Sequence, residues 1–292
     1  MHSRPQKILV PGAGGLLGRH VVEEYRRRGE KVTALSHAEL DVTQEDAVRM
    51  VLDREKPDVV INCAALCHFQ RCEENPAASA AVNRDAPIRL AGLTAERGIR
   101  LVHFSTDYIF DGHSQVPYRE EDAPNALSVY GRHKTAVEAA FPAFPTHLLL
   151  RVAWLFGQRG KTFLSLLPSL LLEKETLEVA SGKRGTCLHA GYAAQIIRQL
   201  VGKGLAGRVN LVHSGETSWE GFARETLRQL HERGLEPRCR EIIEVPLEKM
   251  ASLRGSRPLY SVLSTEKLAI SLGQTPIAWQ EGLKQYLDTL FS

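Results

Sequence analysis

Short, uninterrupted apolar runs alternate with amphipathic stretches through the first half of this chain, and that alternation restricts the possible folds more than any other feature. The apolar runs predict β-strands at residues 7–10, 32–35, 59–61, 101–104 and 148–152. The stretches between them predict helices at residues 16–28, 44–55 and 77–97. Strands that are apolar throughout are typical of a parallel sheet covered by helices on both faces. We therefore predict an α/β fold built on a doubly wound parallel sheet, the Rossmann fold.

Beyond residue 152 the alternation is less regular, which predicts a second, smaller lobe. Helical spacing recurs at residues 162–172, 190–201, 217–233, 264–271 and 277–290, and strand-like runs occur at 177–180 and 208–212. No linker rich in glycine, proline or serine separates the halves, so the lobes should be interleaved. We assign 1–152 to a dinucleotide-binding domain, to which part of 176–205 returns, and 153–292 mainly to a C-terminal substrate-binding lobe.

Composition and charge exclude several classes of protein. Hydrophobic residues make up 43% of the 292 residues and charged residues 24%, which is ordinary for a soluble globular protein. The net charge of +3 is too small to indicate a nucleic-acid partner. No apolar stretch reaches the roughly 18 residues that a membrane span needs, and the N-terminus shows no apolar signal region. We expect a cytoplasmic protein that binds neither nucleic acid nor membrane.

The five cysteines indicate neither a disulfide framework nor a metal site. Their number is odd, which argues against complete pairing. Cys63, Cys67 and Cys72 cluster around His68, but the spacing does not match that of a zinc site. We expect these cysteines to pack as small apolar side chains, with no metal bound.

A glycine-rich segment at residues 12–18 follows the first predicted strand and opens the first predicted helix. Gly12 permits a tight turn, Gly15 lets the backbone approach a pyrophosphate, and Gly18 lets the helix pack closely on the sheet. The helix start, at Leu16 and Leu17, presents free N–H groups to phosphate oxygens. Because a strand precedes this segment and a helix follows it, we predict a dinucleotide site.

The end of the second strand bears on the choice of cofactor. NAD sites usually place an acidic residue there, but this chain has Ser36 and His37. Without a carboxylate to repel a 2′-phosphate, the site tolerates NADP, and His37 and Arg19 could supply hydrogen bonds or positive charge. This favours NADPH and leaves NADH open.

A threonine, a tyrosine and a lysine predict the chemistry. Thr106 follows the fourth strand at its C-terminal end, Tyr130 opens a helix, and Lys134 lies one turn later on the same face. Reducing a ketone needs a hydride on carbon and a proton on oxygen. A nearby ammonium lowers the pKa of a tyrosine from about 10, so Lys134 should activate Tyr130 and also bind the nicotinamide ribose. The Thr106 hydroxyl should hold the carbonyl oxygen.

Several stretches resemble the extended short-chain dehydrogenase/reductases and, within them, the dTDP-4-dehydrorhamnose reductase family. Ser-Thr-Asp-Tyr-Ile-Phe-Asp-Gly at 105–112 is the most specific of them. The others lie at 39–43, 57–62, 82–83, 117–122, 129–131, 151–157 and 257–261. The resemblance spans most of the chain.

The resemblance implies roles for particular residues. Thr106, Tyr130 and Lys134 would be catalytic. The substrate, a nucleotide sugar, would contact Asp107, Trp154 and Arg257. Residues implied to bind the cofactor, besides Tyr130 and Lys134, are Gly12, Gly15, Leu16, Leu17, Gly18, Ser36, His37, Asp41, Val42, Cys63, Ala64, Ala65 and Asn83. Asp41 and Val42 would lie beside the adenine, and Asn83 would help position the strand that carries Thr106.

The chain also departs from that family's pattern. Leu66 and Cys67 stand where members usually have tyrosine and threonine, and residues 184–192 differ from the family's usual stretch. The sequence therefore predicts a reductase of a nucleotide-linked 4-keto-6-deoxy sugar. It leaves open an epimerase, a reductase of another activated sugar, and a non-catalytic subunit resembling the regulatory partner of methionine adenosyltransferase. The oligomeric state is also open, a homodimer being one alternative.

Overall fold

A computed structural model describes residues 6–250 and 257–292, and a parallel β-sheet forms its centre. The strands are β1 Lys7–Pro11, β2 Lys31–Leu35, β3 Val59–Asn62, β4 Arg100–Thr106, β5 Leu148–Val152, β6 Leu155–Phe156, β7 Thr176–Ser181, β8 Arg184–Gly185, β9 Leu188–His189, β10 Gly207–Asn210, β11 Thr217–Ser218, β12 Glu241–Pro246 and β13 Tyr260–Ser261. Six of them form the main sheet, in the order β10-β5-β4-β3-β1-β2 and all parallel. The predicted doubly wound sheet is confirmed.

The helices cover both faces of this sheet. They are α1 Leu16–Arg27, α2 Glu45–Glu55, α3 Phe69–Glu74, α4 Pro76–Ala80, α5 Ala86–Glu96, α6 Val129–Ala140, α7 Phe163–Glu173, α8 Ala190–Gly202, α9 Trp219–Glu232, α10 Glu266–Leu272 and α11 Trp279–Leu290. In the described part of the chain, no helix is both long and apolar enough to cross a membrane. Nor do those residues bring together three or more histidine, cysteine, aspartate or glutamate side chains that could hold a metal ion.

Alternate residues of the central strands enter different cores, which is why the interiors of these strands are mainly apolar. Ile8 and Val10 pack with α1 and α8 on one face, whereas Leu9 packs with α2 and α5 on the other. The chain passes from β2 on one side of β1 to β3 on its other side. At such a switch point, the loops that follow the strands diverge and leave a crevice at the carboxyl edge of the sheet.

The C-terminal lobe packs around its own apolar core. Strand β7 pairs with β12, and β8 lies between β11 and β13. Helices α7, α9 and α11 contribute the side chains of this core, among them Leu167, Phe222 and Leu283. Within the stretch 176–205, α8 packs against α1 on the main sheet, whereas β7 stays in this lobe. Strand β10 pairs with β5 in the main sheet, and helix α10 packs into the core between that sheet, α1 and α8.

Candidate active site

The glycine-rich turn between β1 and α1 forms one wall of the crevice. Gly12 has φ +74°, and a Cβ there would lie 2.5 Å from the backbone nitrogen of Ala64. A Cβ on Gly18 would lie 2.3 Å from the carbonyl oxygen of Gly12, so α1 can approach this turn only with glycine at that position. No side chain caps the start of α1, which leaves the N–H groups at Leu16 and Leu17 available to a ligand. The turn fits a pyrophosphate.

Gly15 differs from the other two glycines because a Cβ there would meet only the Gly12 carbonyl oxygen, at 3.3 Å. We expect Gly15→Val to keep the fold and to weaken NADPH binding by about tenfold or more, since the side chain would occupy the phosphate's approach to the backbone. Isothermal titration calorimetry measures the affinity, and circular dichroism checks the fold. Gly92→Val, at a position within α5 where a Cβ would meet open space, is the control. If Gly15→Val bound NADPH with unchanged affinity, the turn would have only a structural role.

A carboxylate lies at the end of β2, where the sequence predicted none. Glu39 folds back, and its Oε2 accepts hydrogen bonds from the Ser36 N–H at 2.8 Å and the Ser36 hydroxyl at 2.7 Å. These hydrogen bonds hold the pKa of Glu39 below its usual range, so the group is ionised at neutral pH. The expectation of a site free of negative charge is therefore wrong. The expectation failed because a turn after β2 brings the carboxylate of Glu39 back to Ser36.

Other residues assigned to the cofactor lie in the neighbouring loops. His37 is exposed, and Val42 is buried. Asp41 Oδ1 accepts hydrogen bonds from both the N–H and the hydroxyl of Thr43, at 2.9 and 2.8 Å, which shapes the loop before α2. After β3, the Cys63 N–H donates to the Pro11 carbonyl at 3.0 Å, and the Ala64 N–H donates to Asn62 Oδ1 at 3.1 Å. Ala65 follows in the same loop, which packs on the Gly12 turn.

Asn83 supports the loop after β3 rather than β4. It lies in the π-helical turn Ala81–Asp85, which joins α4 to α5. Its Oδ1 accepts from the Leu66 N–H at 3.0 Å, and its Nδ2 donates to the Leu66 carbonyl at 2.9 Å. The predicted role in positioning the strand of Thr106 is therefore wrong. The buried amide binds a backbone segment that the sequence does not place beside it.

Helix α6 carries Tyr130 and Lys134 towards β4. A Cβ on Gly131 would lie 2.2 Å from the Tyr108 carbonyl oxygen, so this glycine lets the helix approach the turn after β4. Tyr130 is buried, and its ring lies 6.2 Å from that of Tyr108. Lys134 Nζ donates to the Phe104 carbonyl at 2.8 Å and lies 3.5 Å from His103 Nε2. Burial lowers the pKa of Lys134 to about 8.

Burial also controls the ionisation of Tyr130. It raises the pKa of Tyr130 well above its usual range, and the neighbouring Cys67 thiol adds to the effect. The sequence predicted that Lys134 would lower this pKa, and the structure contradicts it because desolvation of the phenolate dominates. A raised pKa keeps the phenol protonated at neutral pH, which suits a proton donor. Cys67 stands where the family pattern has a threonine.

We expect the kcat/KM for reduction to be flat below pH 8 and to fall about tenfold per pH unit above it, because Lys134 carries its charge only below its pKa. The phenol of Tyr130 stays protonated over the same range, so it does not cause the fall. Initial rates between pH 6 and 10 measure the profile. Lys134→Arg, whose side chain remains charged, should remove the limb near pH 8. A wild-type profile that stays flat to pH 10 would contradict this assignment.

Thr106 and Asp107 connect the sheet to the C-terminal lobe. The Thr106 hydroxyl donates to Asp107 Oδ1 at 3.1 Å. Asp107 is 2% exposed, and its Oδ2 accepts from the Ser261 hydroxyl on β13 at 2.7 Å. Burial raises the pKa of Asp107, while the positive charge of Lys183 acts in the opposite direction. Asp107 therefore lies at the junction of the two lobes, beside Thr106.

An aromatic wall continues from this junction and includes the other predicted substrate contacts. Trp154 has φ +38°, a strained value for a residue with a side chain, and its indole lies so close to Gly185 that a Cβ there would be 2.6 Å from Cζ2. The Arg257 guanidinium carbon lies 4.1 Å from the centre of the Phe69 ring, which is 5.9 Å from that of Tyr108. Asp107, Trp154 and Arg257 thus border one region.

Sequence reasoning missed several residues of this region. Lys183 lies against the rings of Tyr108, Trp154 and Trp219. Phe69 extends the same wall beyond Tyr108. Tyr108 lies inside the Ser-Thr-Asp-Tyr stretch, which is the signal that could have identified it. No local pattern marks Lys183, which follows the turn at Gly182.

The switch-point crevice, with Tyr130 and Lys134 beside it, places the molecule among the extended short-chain dehydrogenase/reductases. Sequence comparison is more specific. The chain belongs to the family described as the RmlD substrate binding domain, whose model matches residues 6–292.

Relatives of known sequence and structure agree with this membership. The chain is 36% identical over 285 residues to dTDP-4-keto-6-deoxy-D-glucose reductase of Streptomyces niveus, covering 97% of this chain and 96% of that protein. A dTDP-4-dehydrorhamnose reductase ortholog from Clostridium acetobutylicum is 31% identical, with a TM-score of 0.89 and coverage of 98% and 100%. The dTDP-4-dehydrorhamnose reductase of Bacillus anthracis, solved in complex with NADP, is 24% identical, with a TM-score of 0.90 and coverage of 98% and 99%. Because the Bacillus anthracis protein is 24% identical to this chain, the similarity between the two shows a shared fold and no more.

Proposed function

We propose that this protein reduces the 4-keto group of a nucleotide-linked 6-deoxy sugar, with NADPH as the reductant. The observation that carries the proposal is the placement of Thr106, Tyr130 and Lys134 on β4 and α6, beside a glycine turn that fits a pyrophosphate. The name of the Streptomyces niveus relative supports a nucleotide-linked keto sugar as substrate. A subunit that only binds nucleotides would have no need of these three residues together.

The chain's own residues divide the work of a carbonyl reduction. A dinucleotide held at the Gly12 turn would supply the hydride that the carbonyl carbon needs. Tyr130 donates its phenolic proton to the carbonyl oxygen, which becomes the product hydroxyl. The Thr106 hydroxyl donates to Asp107 in this structure. With substrate bound, it would turn to the carbonyl oxygen and hold that oxygen beside Tyr130. Lys134 would bind the ribose, and its positive charge would offset the phenolate left on Tyr130.

One observation supports NADPH as the cofactor, and another supports NADH. The Bacillus anthracis protein was solved with NADP bound, which supports NADPH. The Glu39 carboxylate at the end of β2 would favour ribose hydroxyls over a 2′-phosphate, so NADH remains the alternative. We also propose that the protein acts in the cytoplasm, which its five free cysteines support.

A substrate panel tests the proposed function. Oxidation of NADPH and of NADH would be followed at 340 nm against nucleotide-linked 4-keto-6-deoxy sugars, with the products identified by NMR. We expect stoichiometric cofactor oxidation and a 4-hydroxy product with at least one member. Inversion of a sugar carbon without net oxidation would indicate an epimerase. Nucleotide-sugar binding without any turnover would indicate a non-catalytic subunit, and either result would overturn the proposal.

A further inference from the structure

A buried lysine lies inside the aromatic wall beside Asp107. Lys183 follows β7 and is 0% exposed. Its ammonium lies 4.6 Å from the ring centre of Tyr108, 5.5 Å from that of Trp154 and 5.8 Å from that of Trp219. These rings partly compensate for the water that the cation has lost. A fully buried cation is rare unless it is paired, so its position calls for a chemical explanation.

The hydrogen-bond donors around Lys183 outnumber the acceptors. An ammonium has three donors, and toward the residues that the structure describes Lys183 uses one, to the Tyr108 hydroxyl at 3.2 Å. The indole N–H groups of Trp154 and Trp219 are also buried, and neither has an acceptor among the described residues. Donors buried without acceptors cost free energy. Several donors thus lie beside the same aromatic rings, and together they would suit an oxygen-rich ligand.

Asp107 supplies the complementary acceptor. Its two oxygens accept from Thr106 and Ser261, which leaves lone pairs free on both. Lys183 is close enough for its charge to act on Asp107. A hydroxyl group can accept from an ammonium and donate to a carboxylate at the same time, which a methylene group cannot do. The pair therefore suits a sugar hydroxyl.

We propose that Lys183 is a specificity-determining residue that, together with Asp107, binds the sugar hydroxyl on the carbon next to the ketone. This inference rests on the proposed function, because Asp107 directly follows the threonine assigned to the keto oxygen. The aromatic rings would pack against the sugar face. A sugar that is deoxygenated at that carbon would leave the ammonium and the carboxylate without their shared partner, and the site should reject it.

Two matched substrates test the assignment. They are a nucleotide-linked 4-keto-6-deoxy sugar with a hydroxyl on carbon 3 and its 3-deoxy analogue. We expect the wild type to prefer the hydroxylated sugar by about 10²-fold or more in kcat/KM. Lys183→Met should lose about 10²-fold on the hydroxylated sugar, mainly through KM, and change little on the analogue. The exposed Lys161→Met is the control and should behave as wild type.

Calorimetry with both sugars gives a second readout that does not depend on turnover, and NADPH affinity checks the fold of each variant. Lys183→Gln, which keeps a neutral donor, should bind the hydroxylated sugar with intermediate affinity and covers the case in which Lys183→Met does not fold. A wild type that reduces and binds both sugars equally would overturn the inference and leave the proposed function intact. Equal losses on both sugars in Lys183→Met would show a structural role instead. If the wild type binds the sugars but reduces neither, the proposed function fails, and the ratio of the two affinities still decides the role of Lys183.

Discussion

Replacing Tyr130 with phenylalanine should lower turnover by about 10²–10⁴-fold, the usual scale of general acid catalysis. The change removes one hydroxyl from a buried ring on α6 and leaves the packing against Tyr108 in place. Because burial holds the phenol in its protonated form, the hydroxyl is present as a donor throughout the neutral pH range. Single-turnover rates at saturating cofactor and sugar measure the effect on the chemical step.

The affinity for NADPH should change little, since the proposed contacts of the cofactor lie mainly on the glycine turn and on Lys134. Calorimetric titration of the variant provides that control. Thr106→Val is a useful companion, because it removes the proposed hold on the carbonyl oxygen but keeps the tyrosine. Near-normal turnover in Tyr130→Phe would reject Tyr130 as the acid, whatever the behaviour of Thr106→Val.

Replacing Glu138 with glutamine should cost about 3–5 kcal/mol of folding free energy, because it leaves a buried cation uncompensated. Glu138 on α6 and Arg151 on β5 are 1% and 0% exposed, and Arg151 Nη2 lies 2.8 Å from Glu138 Oε2. Arg208 Nε lies 3.1 Å from the same oxygen. Glu138 is two turns beyond Tyr130, so this ion pair also holds the orientation of the helix that carries the proposed acid.

Urea denaturation measures the change, and an exposed pair provides the control. Arg224 and Glu244 are 2.9 Å apart with about half of each side chain exposed, so Glu244→Gln should cost less than about 1 kcal/mol. The double variant Glu138→Leu with Arg151→Met should recover part of the loss, since both buried charges are removed together. A cost for Glu138→Gln no larger than that of the exposed control would show that the buried pair contributes little.

Local pattern determined the main sheet. Ile8, Leu9 and Val10 enter two cores in alternation, so the interior positions of β1 had to be apolar, and similar apolar runs mark the other central strands. The glycines of the β1–α1 turn were predictable for a similar reason, because their requirement comes from backbone contacts within a few residues. Tyr130 and Lys134 share a helix, so their spacing alone predicted a common face. The family resemblance assigned them roles, which remain predictions.

Tertiary structure decided the features that depend on residues far apart in the chain. Lys183 meets Tyr108 across 75 positions, and Asp107 meets Ser261 across 154, distances over which no periodicity extends. The direction predicted from the sequence for the pKa of Tyr130 was wrong, because burial, which no residue spacing reports, raises that pKa. Thus the sequence determined the sheet, the turn and the spacing of Tyr130 and Lys134 on one helix, because the causes of these features are local. Packing of the second lobe alone decided which charges are buried together beside Thr106, since desolvation depends on every element that surrounds a group.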